Sequence, residues 1–231
     1  MSESTNPKKA AGERAAAYVA HDMIVGLGTG TTAYFAIVRL AERIREEGLR
    51  VRCIATSEHS ATLARGMDIP LTSFAEVLHV DLTIDGADEV DPAFNLIKGG
   101  GGALLREKFV ASASDNELII VDEGKLKQRL GAFPLPVEVV PFGWQLTRQR
   151  LQGLGCEARF RSSDNGPFLT DNGNYILDCS FGTIDEPPEL ERQIVTTCGV
   201  VECGIFAGLA TRIIIGKSDG SVEERAEPGR L

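Results

Sequence analysis

Met23-Ile-Val-Gly-Leu-Gly-Thr-Gly-Thr-Thr-Ala-Tyr-Phe-Ala-Ile-Val-Arg-Leu-Ala-Glu-Arg-Ile-Arg-Glu-Glu-Gly48 is the stretch that decides the fold. It opens with a short apolar run, Met23–Leu27, of strand length. A turn rich in glycine and threonine, Gly28–Thr32, follows. Apolar residues then recur at Ala33, Ala36, Ile37, Leu40, Ala41 and Ile44, a single stripe at helical spacing. Gly48 predicts the helix end, because the position after the last turn favours a left-handed backbone. Strand, tight turn and amphipathic helix make one βα unit.

The same alternation continues outward. A strand is predicted at Val51–Ala55, a polar turn at Thr56–Glu58, and a short helix closed by Gly66. Further strands are predicted at Val80–Ile84 and Glu117–Val121. Strands alternating with amphipathic helices predict an α/β fold, a doubly wound, mainly parallel (Rossmann-like) sheet with helices on both faces. After Gly131 the rhythm changes. Phe133-Pro-Leu-Pro136 reads as a stiff connector, since each proline restricts itself and the residue before it. Beyond it the order is strand Val137–Val140, helix Gly143–Leu154, strand Glu157–Arg161, strand Tyr175–Cys179, helix Glu189–Thr197 and strand Val200–Cys203. A turn signal at Thr170-Asp-Asn-Gly-Asn174 separates the middle strands. This β-α-β-β-α-β order is the ferredoxin-like signature. A last strand, Thr211–Ile215, is expected to rejoin the first sheet. The expected domains are therefore residues 1–131 plus 207–231, the larger and catalytic one, and an inserted smaller α+β domain at 132–206. Met1–Asn6 reads as a loose tail.

The chain of 231 residues carries 33 acidic and 24 basic side chains, a net charge of −9. It has no long Lys/Arg block, which argues against nucleic acid as a partner; a small anionic substrate needs only a few local donors. No apolar run approaches the ~18 residues of a membrane span, so no membrane partner is expected. The N-terminal residues lack an apolar core of the kind a signal peptide needs. The five cysteines, Cys53, Cys156, Cys179, Cys198 and Cys203, form no C-x-x-C pair and sit in or beside apolar runs. They read as buried reduced thiols in a cytoplasmic protein, and they make a poor zinc set.

Four segments carry chemistry. In the first, Gly28–Thr32, glycines let the backbone approach an anion and the new helix offers free N–H groups at its positive end. Thr29, Thr31 and Thr32 add hydroxyl donors. A plain structural turn with an N-cap threonine shows the same residues, and a dinucleotide fingerprint is the rival reading, although the spacing here is G-x-G-x-G. The second is Asp85-Gly-Ala-Asp88-Glu89, at the carboxyl end of a predicted strand, where ligands bind in open α/β sheets. Two close carboxylates can bind hydroxyls, shuttle protons or hold a divalent metal; a solvated turn is the plain alternative. The third is Lys98-Gly-Gly-Gly-Gly-Ala-Leu-Leu-Arg-Glu107-Lys108. Four successive glycines are costly in backbone entropy and make sense where bare N–H groups crowd a ligand oxygen. The helix then starts near Ala103, and Ala103 and Ala111 flank Glu107 at i−4 and i+4, leaving room for a substrate. The plain alternative is a surface glutamate in an Arg-Glu-Lys patch. The fourth is Val121-Asp-Glu-Gly-Lys125, with Lys125 placed to reach a phosphate. His21, His59 and His79 read as structural or surface residues.

Together these supply a phosphate cradle, a carboxylate pair, a lysine with an N–H-rich loop, and a lone glutamate. Moving a carbonyl between C1 and C2 of a sugar phosphate needs one base that carries a proton between neighbouring carbons, and electrophiles that hold the enediolate oxygens. No metal is required where a lysine and backbone N–H groups hold that charge.

Six motifs carry a family resemblance: Gly-Thr-Gly-Thr-Thr (28–32), Asp-Gly-Ala-Asp-Glu (85–89), Lys-Gly-Gly-Gly-Gly-Ala-Leu-Leu-Arg-Glu-Lys (98–108), Phe-Pro-Leu-Pro-Val-Glu-Val (133–139), Thr-Asp-Asn-Gly-Asn (170–174) and Gly-Val-Val-Glu-Cys-Gly-Ile-Phe (199–206). From about Lys8 to Gly216 the chain resembles the A-type ribose-5-phosphate isomerases. The resemblance implies interconversion of ribose 5-phosphate and ribulose 5-phosphate, with Glu107 as the proton-transferring base. It implies that Asp85, Asp88 and Lys98 handle ring opening and the C1 and C2 oxygens. Thr29, Gly30, Thr31, Thr32, Asp85, Gly86, Ala87, Asp88, Lys98, Gly99, Gly100, Gly101 and Lys125 would bind the substrate, its phosphate near the threonine loop. It further implies no metal, no cofactor, a place in the pentose phosphate pathway, and a homodimer or homotetramer. One departure is Thr31, where many members carry serine; the hydroxyl is kept. Two readings from other classes stand beside it. A sugar-phosphate-sensing regulator would normally add a helix-turn-helix, for which the residues before Met23 leave no room. An NAD-dependent oxidoreductase would require cofactor binding.

Overall fold

The computed structural model of the protein describes residues 6–164 and 166–226. Most of the expected loose tail, residues 1–5, lies outside them. Asn6 is no tail residue: its side chain accepts hydrogen bonds from the N–H groups of Lys8 (3.1 Å) and Lys9 (3.4 Å) and opens a helix, Pro7–Ala16. Asparagine at the cap and proline in the first turn favour that start. The buried side of this helix is Ala11, Gly12, Ala15 and Ala16. Residues so small leave almost no hydrophobic period in a sequence, which is why the helix went unpredicted.

By its internal packing the chain forms two compact units. The first comprises the chain through Ala87, then Arg106–Lys125, then the chain from Leu209; the second comprises Asp88–Leu105 and Leu126–Gly208. The second unit is thus broader than the 132–206 expected.

The first unit is built on a six-stranded sheet. Its order is Val222–Ala226, Arg212–Gly216, Ser114–Asp122, Val80–Gly86, Ile24–Leu27, Arg52–Ala55. The four pairings from Arg212–Gly216 to Arg52–Ala55 are parallel, and only the Val222–Ala226 edge is antiparallel. In chain order the parallel strands read 2-1-3-4-5, a doubly wound arrangement. The strand order reverses between Ile24–Leu27 and Val80–Gly86, and a crevice opens at such a switch point outside the carboxyl ends. The helix predicted from the opening stretch is Thr31–Glu47, with Ala33, Ala36, Ile37, Leu40 and Ala41 buried and Gly48 left-handed at φ 66°. Ala36, Ile37, Leu40 and Ala41 pack on Val25, Leu27, Leu82, Ile84, Leu118, Ile120 and Ile214 of the sheet. The sixth strand was not predicted; its alternating charges, Glu223-Glu224-Arg225, hide a strand whose job is to close an edge. Arg14 and Tyr18 both bond the Glu224 carboxylate, tying the first helix to that edge.

In the second unit the sheet order is Val200–Cys203, Leu135–Val139, Tyr175–Ser180, Glu157–Phe160, all antiparallel. This is the 4-1-3-2 order of the predicted ferredoxin-like element, with helices Trp144–Gln152 and Pro187–Val195 as its crossovers. A small sheet, Ile205–Phe206 with Leu96–Ile97 and Glu89–Val90, was not predicted, since two-residue strands have no measurable period. Two of the quoted motifs meet here. The buried Glu138 carboxylate accepts from Thr170 Oγ1 (2.9 Å) and Asn174 Nδ2 (2.8 Å), so the turn at 170–174 is held to the strand 135–139. Glu89, also buried, accepts from the N–H groups of Gly131 and Phe133, both at 2.7 Å.

Four of the five cysteines are buried as expected, and Cys198 is exposed. Burial raises the Cys53 thiol to about 12, which removes its thiolate at neutral pH. Brief iodoacetamide treatment of the native protein is therefore expected to label Cys198 alone. Mass spectrometry finding a second alkylated cysteine before unfolding would contradict this burial.

Candidate active site

In the first unit the predicted segments fall on one edge of the sheet. Gly28–Gly30, Thr56–Ser57, Asp85–Ala87 and Glu123–Lys125 each lie at or just past the carboxyl end of a parallel strand. The strand expected at Val80–Ile84 runs on through Gly86, so Asp85 is inside the ladder opposite Ile119. Asp85 is 0% exposed, which removes the solvated-turn reading for this carboxylate. Its Oδ1 accepts from the N–H groups of Thr29 (3.0 Å) and Gly86 (2.7 Å). Gly28 makes this possible: a Cβ there would stand 2.5 Å from the Asp85 Cα.

The threonines divide by role. Thr29 Oγ1 lies within hydrogen-bond distance of Thr56 Oγ1 (2.9 Å), Ser57 Oγ (2.8 Å) and Ser60 Oγ (3.2 Å). Ser60 Oγ in turn donates to the Gly28 carbonyl at 2.6 Å. The Thr29 hydroxyl, read from sequence as a phosphate donor, also ties its loop to the segment Thr56–Ser60. Thr31 and Thr32 open the helix Thr31–Glu47, whose cap, Gly30 at φ 108°, has no side chain to accept from the first-turn N–H groups. Those groups and the two hydroxyls form a positive, N–H-rich pole suited to an anion. Lys8, which sequence reasoning missed, stands beside it: its Nζ donates to Thr31 Oγ1 at 3.0 Å. Its signal was out of reach, since it comes from the unpredicted helix. Lys125 closes a short 3₁₀ turn after strand Ser114–Asp122 and has no ion pair among the described residues.

Glu107 is in the first turn of the helix Leu104–Ser112, which begins one residue later than expected. It is 5% exposed, with Ala103 and Ala111 also buried, so it is no member of a surface patch. Arg106 beside it turns away and pairs with Glu58 at 2.8 Å.

The second unit holds the other group. Lys98 is 2% exposed; its N–H donates to the Gly204 carbonyl (2.8 Å) and its Nζ lies 5.5 Å from the centre of the Phe206 ring. The Gly100 N–H, read from sequence as open to a ligand, donates to Asp88 Oδ2 at 2.8 Å. A Cβ on Gly100 would come within 2.7 Å of Asp88 Oδ1, so glycine is what allows the contact. Gly102 N–H closes the loop onto the Gly99 carbonyl (2.9 Å). Among the described residues two trios could bind a metal, His79/Asp81/Asp115 and Glu191/Glu202/Cys203; neither contains Asp85 or Asp88.

Comparison with known proteins decides between the readings. The family model for ribose 5-phosphate isomerase A (phosphoriboisomerase A) matches residues 52–220. The chain belongs to that family. A ribose-5-phosphate isomerase A from Oceanobacillus iheyensis is 49% identical over 219 residues, covering 95% of this chain and 98% of the relative. The solved ribose 5-phosphate isomerase A of Methanocaldococcus jannaschii superposes with a TM-score of 0.91 at 41% identity, covering 95% of this chain and 98% of that one. A second solved D-ribose-5-phosphate isomerase, in complex with phospho-erythronic acid, gives 0.92 at 38%, covering 95% and 97%. Membership in the ribose 5-phosphate isomerase A family makes this chain an isomerase and sets aside the oxidoreductase and regulator readings. No helix among the described residues is long and apolar enough to cross a membrane.

Proposed function

We propose that the chain interconverts ribose 5-phosphate and ribulose 5-phosphate through an enediolate, with Glu107 carrying the proton between C2 and C1. The burial of Glu107 is the observation that carries this reading. A carboxylate shielded from water on a helix, nine residues after Lys98, suits abstraction from carbon far better than a solvated one. Starting from the open aldose, Glu107 takes the C2 proton, and the C–H electrons form the C1–C2 double bond and place negative charge on O1. Returning that proton to C1 while the O2–H proton passes to O1 yields the ketose, with C2=O and a C1 hydroxyl. Asp85 and Asp88 carry the hydroxyl protons of this transfer and of ring opening. The Lys98 ammonium and the Gly99–Gly101 backbone offset the oxyanion charge. Phospho-erythronic acid, bound by the relative, has a planar carboxylate next to a carbinol carbon and a phosphate at its far end. That is the charge layout of the enediolate, which supports the same chemistry here.

The phosphate falls to Lys8, Thr31, Thr32, the first-turn N–H groups and Lys125. Lys8→Met removes a charged donor; at ~1.5–3 kcal/mol the KM for ribose 5-phosphate should rise about ten- to a hundredfold, with kcat little changed. A KM within twofold of wild type would remove Lys8 from the phosphate site. The reading as a whole is tested by following ribulose 5-phosphate formation in excess EDTA. Activity should persist. Its loss, restored by a divalent ion, would give the carboxylates a metal-binding role instead.

A further inference from the structure

We propose that Arg161 is a positioning residue that sets the peptide orientation of the Gly99–Gly101 loop, and through it Asp88. The inference rests on the reading that this loop and Asp88 serve the isomerisation.

Arg161 follows the strand Glu157–Phe160, and its N–H donates to the Ile176 carbonyl at 2.9 Å. Its guanidinium is held on two sides. Nε donates to Asp178 Oδ2 (2.9 Å), and Nη2 bonds Asp178 Oδ1, a fork-to-fork pair with the side chain of strand Tyr175–Ser180. The plane also lies 5.6 Å from the centre of the Phe168 ring. The remaining nitrogen, Nη1, donates to the Gly99 carbonyl (3.0 Å) and the Gly100 carbonyl (3.1 Å). Such a fork is rigid and permanently charged, which a lysine is not.

The consequence follows from peptide planarity. In a trans peptide the C=O of one residue and the N–H of the next point in opposite directions. Fixing the Gly99 and Gly100 carbonyls on Arg161 therefore turns the N–H groups of Gly100 and Gly101 to the opposite side. The first of these is the donor to Asp88 Oδ2, at 2.8 Å. Without the clamp, consecutive glycines would sample many backbone states, and ordering them costs conformational entropy. The guanidinium also polarises the same two peptides, making their N–H groups better donors. A line of contacts thus runs Asp178, Arg161, Gly99 and Gly100 carbonyls, Gly100 N–H, Asp88. No sequence motif marks it, because Arg161 stands alone between two strands.

The test is Arg161→Met, which keeps the stem and removes the donors, read against Glu107→Gln. Expected is a fall in kcat of about ten- to a hundredfold with KM nearly unchanged, and weaker binding of phospho-erythronic acid by a similar factor. Arg161→Lys, which can reach one carbonyl, should fall between. Wild-type kcat and analogue affinity in Arg161→Met overturn the proposal. So does a loss of kcat that merely follows the loss of folded protein, seen by circular dichroism, with analogue affinity per folded molecule unchanged. If Arg161→Met does not fold, Arg161→Lys carries the test, and wild-type values there overturn it too. Should Glu107→Gln also be fully active, the underlying reading of the site has failed, which is a separate result.

Discussion

Glu107→Gln is expected to abolish almost all turnover while leaving substrate binding intact. Glutamine keeps the size and polarity of the side chain but cannot accept a proton from carbon. Removing a general base typically costs ~10²–10⁴ in rate, and a carbon acid belongs at the upper end. Because kcat and kcat/KM should fall together, the lost interaction would be one made only in the transition state. Isotope exchange separates this from a folding defect. Wild-type enzyme in D₂O should place deuterium at C1 of ribulose 5-phosphate and at C2 of ribose 5-phosphate, partly diluted by return of the abstracted proton. The Gln variant should show almost none. Near-normal exchange in that variant would leave Asp85 as the base.

Gly28→Ala should damage stability and activity together. The added Cβ would stand 2.5 Å from the Asp85 Cα, a backbone atom of the neighbouring strand that cannot swing aside. Parallel strands joined at Gly28 N–H to Ile84 O (2.9 Å) would have to part. Overpacking of this kind costs up to ~3 kcal/mol, or ~6–12 °C in Tm for a chain of this size. The same shift would pull Asp85 Oδ1 from the Thr29 N–H, so activity per folded molecule should fall as well. Gly66→Ala is the control: a Cβ there meets open space, and the variant should melt at or slightly above wild type. Equal melting of Gly28→Ala and wild type would mean that the two strands are further apart than described.

How much of this was legible in the sequence depended on side-chain size and period. The Thr31–Glu47 helix announced itself because Ala33 through Ile44 repeat on one face, and the parallel strands because Val, Ile and Leu run together. The helix Pro7–Ala16 hid behind alanines and a glycine, and with it went Lys8. Strand Val222–Ala226 hid behind its charges. Glu107 was legible as a candidate from its alanine neighbours, but only its burial separates it from the Arg-Glu-Lys surface patch. The local partners of the Thr29 hydroxyl were not legible because Thr56, Ser57 and Ser60 lie ~30 residues on and meet it only after the first two strands pair. Arg161 was invisible for the same reason: its partners at Asp178 and Gly99 come together only in the folded sheet.

The first unit's sheet takes its fifth parallel strand, Arg212–Gly216, from beyond the whole four-stranded sheet of the second unit. On the ribosome, strand Ser114–Asp122 therefore waits some ninety residues for its outer neighbour, while the second unit's four-stranded sheet can already close. Until Arg212 emerges, Leu118, Ile119, Ile120 and Val121, all buried in the finished fold, border an open edge with unpaired backbone groups. Such an edge recruits other strands, so a nascent or truncated chain ending before this strand is the form most exposed to aggregation. Synthesis of Arg212–Gly216 is then the step that commits the chain to its sheet.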